Sequence, residues 1–338
     1  MGPAQVKFST LFTSAGRRVE LIRAFRRAYQ KLGLPGNVVA ADHDALAPSL
    51  QAADRSYVVP PMSSPEYIPG LAKICHDEQV RLIFPLIDPD ISVLAANREK
   101  LEREGARLAS VPPEAASITS DKWETARLFR RLGLKTPTSW KTPEDIPPDT
   151  VFPLFIKPRF GSAGKNTFKV NDRRELEFFA EYIAEPIIQE YLPGPEITND
   201  VICDLDGEVL SIISRRRIEV RWGEVAKGVT LHDRLIEDAC VKVAKALDAR
   251  GPITVQCLMK EGAPHFSEIN ARLGGGAPLG IAAGVDWPLW LIARARGVPV
   301  DIPPLGTYEC PMFMTRFDDS FFLKSEDIEH IPSPDIRS

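Results

Sequence analysis

The sequence predicts a mixed fold, α/β then α+β: a parallel, doubly wound sheet over residues 1–112, followed by a region of paired strands and helices. Two observations predict it. As far as about residue 111, short apolar runs alternate with stretches of helical periodicity, the pattern of strands joined by helical crossovers. Beyond that point, strand pairs closed by tight turns take over, with Asp206-Gly207 between two runs and Lys260–Pro264 between two more. The Pro112-Pro113 step between the two regimes reads as a hinge.

Composition sets the outer bounds. A chain of 338 residues has room for two or three domains and a large core. Its 44% hydrophobic and 26% charged residues are ordinary for a soluble protein. A net charge of -4 gives no basic surplus for nucleic acid. Five cysteines, Cys75, Cys203, Cys240, Cys257 and Cys310, are scattered without a CxxC pair, which speaks against a disulfide framework or zinc site. No apolar run approaches the ~18 residues of a membrane span. A strand-like stretch near the N-terminus stands where a signal peptide would, so the expectation is a cytoplasmic protein without a membrane partner.

Taken in order, Val6–Phe12 reads as a buried strand. The loop Thr13-Ser14-Ala15-Gly16 follows, then a helix with Val19, Ile22, Phe25, Tyr29 and Leu32 on one face, stopped by Gly33. Val38–Ala41 and Tyr57–Val59 are strands, a helix runs near 65–77, and Arg81–Ile87 is a further strand. A helix over 90–104 and a strand over 107–111 complete the unit. In such sheets ligands bind at the carboxyl ends of strands. Ser14–Arg18, Asp42, Asp44, Asp88 and Asp90 all lie there; Arg17 and Arg18 could hold an anion, or could simply be a solvated helix face.

In the second half, Ser120-Asp121-Lys122 opens a helix to about Leu132, with Ser120 or Asp121 as N-cap. Phe152–Lys157 is a strand running into Pro158–Asn166, a loop with Gly161, Ser162, Gly164 and Lys165 that could wrap phosphate oxygens through its N–H groups. Lys157 ends an apolar strand, where its ammonium needs either an anion or a path to water. Helix 173–182 precedes the strand Ile187–Glu190 and the turn to Glu196. Then 197–205 and 208–217 form a hairpin, and Arg215, Arg217, Glu219 and Arg221 alternate onto one face, either for an anionic substrate or as an exposed charged strand. Helix 231–248 presents Leu235, Ala239, Val243 and Leu247 as core. The hairpin 253–259/265–271 puts Glu268, Asn270 and Arg272 on one face beside Gln256, a set of hard oxygens suited to Mg²⁺ on a polyphosphate and a guanidinium suited to an anion. The glycines of 273–278 would shape a substrate pocket, helix 286–296 packs through Trp287, Leu289, Trp290 and Ile292, and Cys310–Phe317 is a last strand.

In order and spacing, Ser120-Asp121-Lys122, FIKPRFGSAGKN (155–166), IIQEYLPGPE (187–196), and VQCLM with FSEINARLGGG (255–276) resemble the ATP-grasp superfamily. They are most similar to an ATP-binding half of the carbamoyl phosphate synthase large subunit. The resemblance covers the chain to about residue 300. It implies a Rossmann-like pre-ATP-grasp domain (1–112), an ATP-grasp N-terminal subdomain with a lid (113–192) and a C-terminal subdomain with the metal site (193–338). One departure is Gln256, where many relatives have an acidic residue.

The resemblance implies ATP and Mg²⁺ as cofactors, with Mn²⁺ as a substitute. Lys122 and Lys157 would contact ATP phosphates under a lid of Gly161, Ser162, Gly164 and Lys165. Glu190, Tyr191 and Leu192 would line the adenine and Glu196 would hold the ribose. Gln256, Glu268 and Asn270 would bind the metal. Arg272, helped by Arg217 or Lys227, would stabilise the transferring phosphoryl group. The implied activity is an ADP-forming ligase joining a small-molecule carboxylate to an amine through an acyl phosphate, and a homodimer is common among similar proteins. Two alternatives remain: a carbamoyl-phosphate-synthase-like phosphotransferase acting on carbamate or bicarbonate, and a nucleotide-binding regulatory subunit without turnover.

Overall fold

Five parallel strands form the first sheet: β1 (Ser9–Thr13), β2 (Val38–Asp42), β3 (Arg55–Val58), β4 (Val80–Pro85) and β5 (Arg107–Leu108), in the order β3-β2-β1-β4-β5. The computed structural model describes residues 7–161, 164–221 and 223–334, so the expected strand start at Val6 lies outside it. The crossover elements are α1 (Val19–Leu32), α2 (Pro48–Ala52), α3 (Tyr67–Asp77), α4 (Asp88–Ala96) and α5 (Arg98–Glu102). The α1 face expected from periodicity is buried through Ile22, Phe25 and Tyr29, and Gly33 closes the helix in the left-handed conformation at φ 58°. The single helix expected over 90–104 is two. Asn97 separates them, and its side-chain amide donates to the Val93 carbonyl at 2.9 Å, a local bond that competes with the helical ladder.

Helices α6 (Pro113–Ser120) and α7 (Lys122–Arg131) follow. The Asp121 carboxylate caps α7 by accepting from the N–H groups of Trp123 and Glu124 at 2.9 and 3.4 Å. A four-stranded antiparallel sheet comes next, β6 (Ser139–Trp140), β7 (Leu154–Pro158), β8 (Phe168–Val170) and β9 (Pro186–Glu190), covered by α8 (Arg173–Tyr182) over Leu154, Ile156, Leu176 and Ile188. Helices α6 and α7 bury Ala115, Ala116, Leu128 and Phe129 in a different core, shared with the large sheet; the Phe129 and Phe266 rings stand 5.6 Å apart.

That large sheet has six antiparallel strands, β10 (Glu196–Cys203), β11 (Val209–Arg221), β12 (Glu224–Leu231), β13 (Pro252–Lys260), β14 (Ala263–Asn270) and β15 (Phe313–Thr315), in the order β14-β13-β10-β11-β12-β15. Helix α9 (Arg234–Ala246) covers it. Leu235, expected in the core, is 65% exposed. The Asp233 N-cap starts the helix at Arg234, and the buried stripe falls one position later, on Ile236, Ala239, Cys240 and Val243. Helices α10 (Ala277–Ala282) and α11 (Trp287–Arg296) pack against α1, with Phe25 and Trp287 at 5.5 Å edge to face, so the parallel domain and the large sheet share one core. After β15 the chain carries α12 (Ser325–Glu329) back to the first domain, where the Val58 N–H donates to the Pro332 carbonyl at 3.0 Å and Pro334 lies against Gly70. Among the described residues no helix is long and apolar enough to cross a membrane.

Candidate active site at the edge hairpin

Strand alternation builds the centre of the site. β13 and β14 pair with Gln256 opposite Glu268 and Thr254 opposite Asn270, at the edge of the sheet. The Asn270 amide approaches the Gln256 amide oxygen at 3.5 Å, and Gln256 donates to Glu196 at 2.6 Å. Glu268 faces the four-stranded sheet, the lid sheet of the expectation. The Lys157 ammonium, at the end of β7 and 6% exposed, donates to it at 2.8 Å. Lys157 therefore neither reaches water nor stands alone; a carboxylate 111 residues away satisfies it. Burial pushes the Glu268 carboxyl up, but the ammonium groups of Lys157 and Lys122 outweigh this and hold it below the usual carboxylate range. Burial pushes Lys122 down, against the pull of Glu268.

The start of α7 is held to the loop after β7, the expected lid. Arg159 grips the Asp121 carboxylate with two bonds of 2.8 and 2.5 Å, and the Lys122 ammonium donates to the Gly161 carbonyl at 2.7 Å. Gly161 and Gly164 have φ of 114° and 66°, a backbone that side chains rarely adopt, and Lys165 is exposed. Ser162 lies outside the described residues. A cavity of about 250 Å³ opens here, lined by Lys122, Gly161, Glu268, Asn270, Asp88 and Ser92. The first domain thus supplies one wall of the site.

The expected adenine wall is a strand end. The Glu190 N–H is taken by the Thr138 carbonyl at 2.8 Å and its carboxylate by Lys260, so it offers neither group freely. Tyr191 carries the Lys169 ammonium 4.8 Å above its ring, and Leu192 is buried. Glu196 accepts from both Arg217 and Gln256 at 2.6 Å, which links the expected ribose residue to the expected metal face.

The arginine row divides. Arg215 and Asp200 form a bidentate pair at 2.7 and 2.7 Å with both side chains 2% exposed, an internal tie. Register shifts around Glu219 break the alternation, and Glu219 pairs with exposed Arg221 and Lys227, each at 2.7 Å. Lys227 is thus bonded outside the central group. Arg272 donates to Asp88 at 2.5 Å and to the Leu273 carbonyl at 2.9 Å. Asp90 is structural: it is fully buried and accepts from Thr13, Ser14 and Tyr67. Asp42 accepts from the N–H groups of Gly16 and Asp44, bracing the first loop.

Several participants carried no sequence signal. Lys260 ends β13 and Glu224 opens β12. Arg316 comes from the C-terminal stretch, where it donates to Glu224 at 3.2 Å, to Glu20 at 3.1 Å and to the Gly275 carbonyl. Asp88 stood out only as a strand-end acid.

The donor set suits Mg²⁺ held partly by nucleotide oxygens. It offers one carboxylate and two amide oxygens, and among the described residues no three His, Cys, Asp or Glu side chains are gathered to cage a metal unaided.

Comparison with known proteins places these elements. A PylC-like N-terminal domain matches residues 10–109 and an ATP-grasp domain matches residues 119–276. The D-alanine–D-alanine ligase of Fusobacterium nucleatum subsp. nucleatum is 31% identical over 174 residues, 47% of this chain and 58% of that ligase. The carbamoyl phosphate synthase large chain of Deinococcus radiodurans is 25% identical over 335 residues, 92% of this chain but 32% of that protein. The chain therefore spans less than two thirds of either relative. Biotin carboxylase from Campylobacter jejuni, solved with an ATP analogue, superposes with a TM-score of 0.68 at 20% identity, over 86% of this chain and 72% of that one. ATP-grasp enzymes use ATP with Mg²⁺. Residues 119–276 are an ATP-grasp domain behind a PylC-like N-terminal domain, in a chain homologous to the carbamoyl phosphate synthase large chain and sharing the fold of biotin carboxylase.

Proposed function

We propose that the chain is an ATP-dependent, ADP-forming ligase that joins a small-molecule carboxylate to an amine through an acyl phosphate. The observation that carries this reading is the convergence of Lys122, Lys157, Gln256, Glu268 and Asn270 between the lid sheet and the edge hairpin, with Arg272 at its end. The nucleotide lies between the two sheets, with Tyr191 and Leu192 toward the adenine and Glu196 toward the ribose. Lys157 exchanges Glu268 for a phosphate oxygen, which frees the carboxylate for the metal. Glu268, Asn270 and Gln256 would hold Mg²⁺, or Mn²⁺ in its place, which would supply charge neutralisation at the phosphates. Lys122 holds the lid through Gly161 while the loop 161–165 excludes water.

A carboxylate oxygen of the substrate attacks the γ-phosphorus, and the bond to the ADP oxygen breaks. The amine nitrogen then attacks the acyl carbon, inorganic phosphate departs with its bonding pair, and the nitrogen gives up a proton. Arg272 sits where charge accumulates on the phosphoryl group, with Arg217 nearest through Glu196. The protein's contribution is position and charge, with no covalent nucleophile of its own.

The alignment with a carbamoyl phosphate synthase large chain over 92% of this chain favours a second reading, phosphoryl transfer to carbamate or bicarbonate. Release of ADP and phosphate from Mg-ATP, measured against carboxylates with pooled amines and against bicarbonate, separates the two. A ligase needs both an acid and an amine. ADP release with bicarbonate alone supports the second reading, and ATP binding without release under any condition rejects both.

A further inference from the structure

The guanidinium groups near the site are of two kinds. Arg215 is consumed by Asp200, Arg217 by Glu196 and Arg221 by Glu219. Arg272 and Arg18 are paired as well, with Asp88 at 2.5 Å and Glu224 at 2.7 Å, but Arg272 keeps a donor that neither Asp88 nor the Leu273 carbonyl takes. The Nε of Arg272 is buried and, among the described residues, has no hydrogen-bond partner. An orphaned charged donor is costly unless something arrives to accept from it. Arg18, from the loop that precedes α1, is 18% exposed and gives one of its five N–H donors to Glu224 at 2.7 Å. Glu224 is shared, since Arg316 takes its other oxygen at 3.2 Å. Burial pushes the Arg18 guanidinium below its ordinary value; Glu224 opposes this, and the like charges of Arg272 and Arg316 add to it.

The turn between the two arginines has no side chain of its own, and the Glu224 carboxylate lies 3.2 Å from where a Gly275 Cβ would stand. A Cβ on Gly275 would lie 2.6 Å from Arg18 Nη1, so Arg18 is laid flat against the backbone three residues after Arg272, and no side chain of 274–276 stands between them. Two like-charged, mostly dehydrated guanidiniums, one with an orphaned donor, face a side-chain-free turn at the end of the phosphate-binding face. Such a pair is complementary to an anion with two acidic ends.

We infer that the carboxylate substrate carries a second acidic group, a carboxylate or a phosphate, which Arg18 receives while Arg272 holds the end that is phosphorylated. This inference rests on the ligase reading. It moves specificity away from the β11 arginine row and onto the first domain, whose loop then measures the substrate's length.

The test is equilibrium binding to the full chain in Mg²⁺ and a non-hydrolysable ATP analogue. Succinate, glutarate, aspartate, glutamate and phosphoserine are compared with butyrate, valerate and alanine. At least one two-acid compound should bind tenfold or more tighter than a one-acid compound of equal length. Arg18→Ala should reduce that preference to under threefold with nucleotide affinity unchanged, and Arg18→Lys should recover part of it. Should Arg18→Ala fail to bind nucleotide, Arg18→Gln, which keeps the stem and a donor for Glu224, gives the same reading. Equal binding of one-acid and two-acid compounds by the wild type overturns the inference, as does a preference that survives loss of Arg18. A preference that holds while no acid–amine pair releases ADP rejects the ligase reading and leaves the two-acid site standing.

Discussion

Replacing Arg215 by methionine separates an internal tie from a substrate contact. Both charges of the Arg215–Asp200 pair are 2% exposed and joined by two bonds of 2.7 Å. Removing the arginine leaves Asp200 buried and uncompensated, which costs about 3–5 kcal/mol. Replacing both, with Arg215→Met and Asp200→Val together, removes the unpaired charge as well and should restore most of that loss, because apolar substitutes for a buried pair are often neutral. At roughly 2–4 °C per kcal/mol for a cooperative unit of 150–250 residues, the single change lowers Tm by roughly 6–20 °C. Urea and thermal unfolding of the wild type, both single variants and the double variant form the cycle. A cost below about 1 kcal/mol for Arg215→Met, or a double variant as unstable as either single one, would refute the internal-tie assignment.

Further expectations follow from the same geometry. Glu268→Ala should abolish ATP turnover with the fold intact but at a lower urea midpoint, because the buried Lys157 ammonium loses its partner; a folded variant with full turnover removes Glu268 from the metal set. The pH dependence has a definite sign. Glu268 is held below the usual carboxylate range, so as pH falls through about 4.3 the unfolded chain binds this proton first. The stability that Glu268 contributes is therefore complete above that value and disappears as pH falls through its lower folded pKa. Glu268→Gln should flatten the acid limb of a stability–pH curve, and an unchanged limb would show that the Lys157 contact does not hold the carboxylate ionised. Gly276→Ala would place a Cβ 2.0 Å from Arg215 Nη1 and 2.7 Å from Val225 Cγ1. Because Asp200 pins Arg215, relief must come from the backbone at about 1–3 kcal/mol, read as a shift in the urea midpoint.

What could be read in the sequence was local. The two-residue period of a strand is enough to bring Gln256, Glu268 and Asn270 together, since their pairing follows from one turn. The Asp121 cap and the Gly33 stop are likewise settled within one turn of helix. Contacts between distant segments were not legible. Lys157 meets Glu268 across 111 residues and Arg272 meets Asp88 across 184, and no period in the chain encodes either. Phase errors explain the rest. Leu235 and Ile236 are neighbours on a helix start, and only the Asp233 cap decides which one faces inward. Alternation treated Arg215 and Arg221 alike, but the irregular register near Glu219 and the presence of Asp200 on the next strand give them opposite fates.

The return of the C-terminal stretch to the first domain has a consequence for synthesis. The edge of β3 donates its outer hydrogen bond, from the Val58 N–H, to the carbonyl of Pro332, 274 residues later. At roughly 5–20 residues per second, a ribosome needs about 14–55 s to supply that partner. Through that interval the nascent parallel domain presents an open strand edge and the bare Gly70 surface that Pro334 later covers. The parallel domain therefore emerges well before its edge is covered, and its solubility in that interval depends on whatever shields the edge on the ribosome.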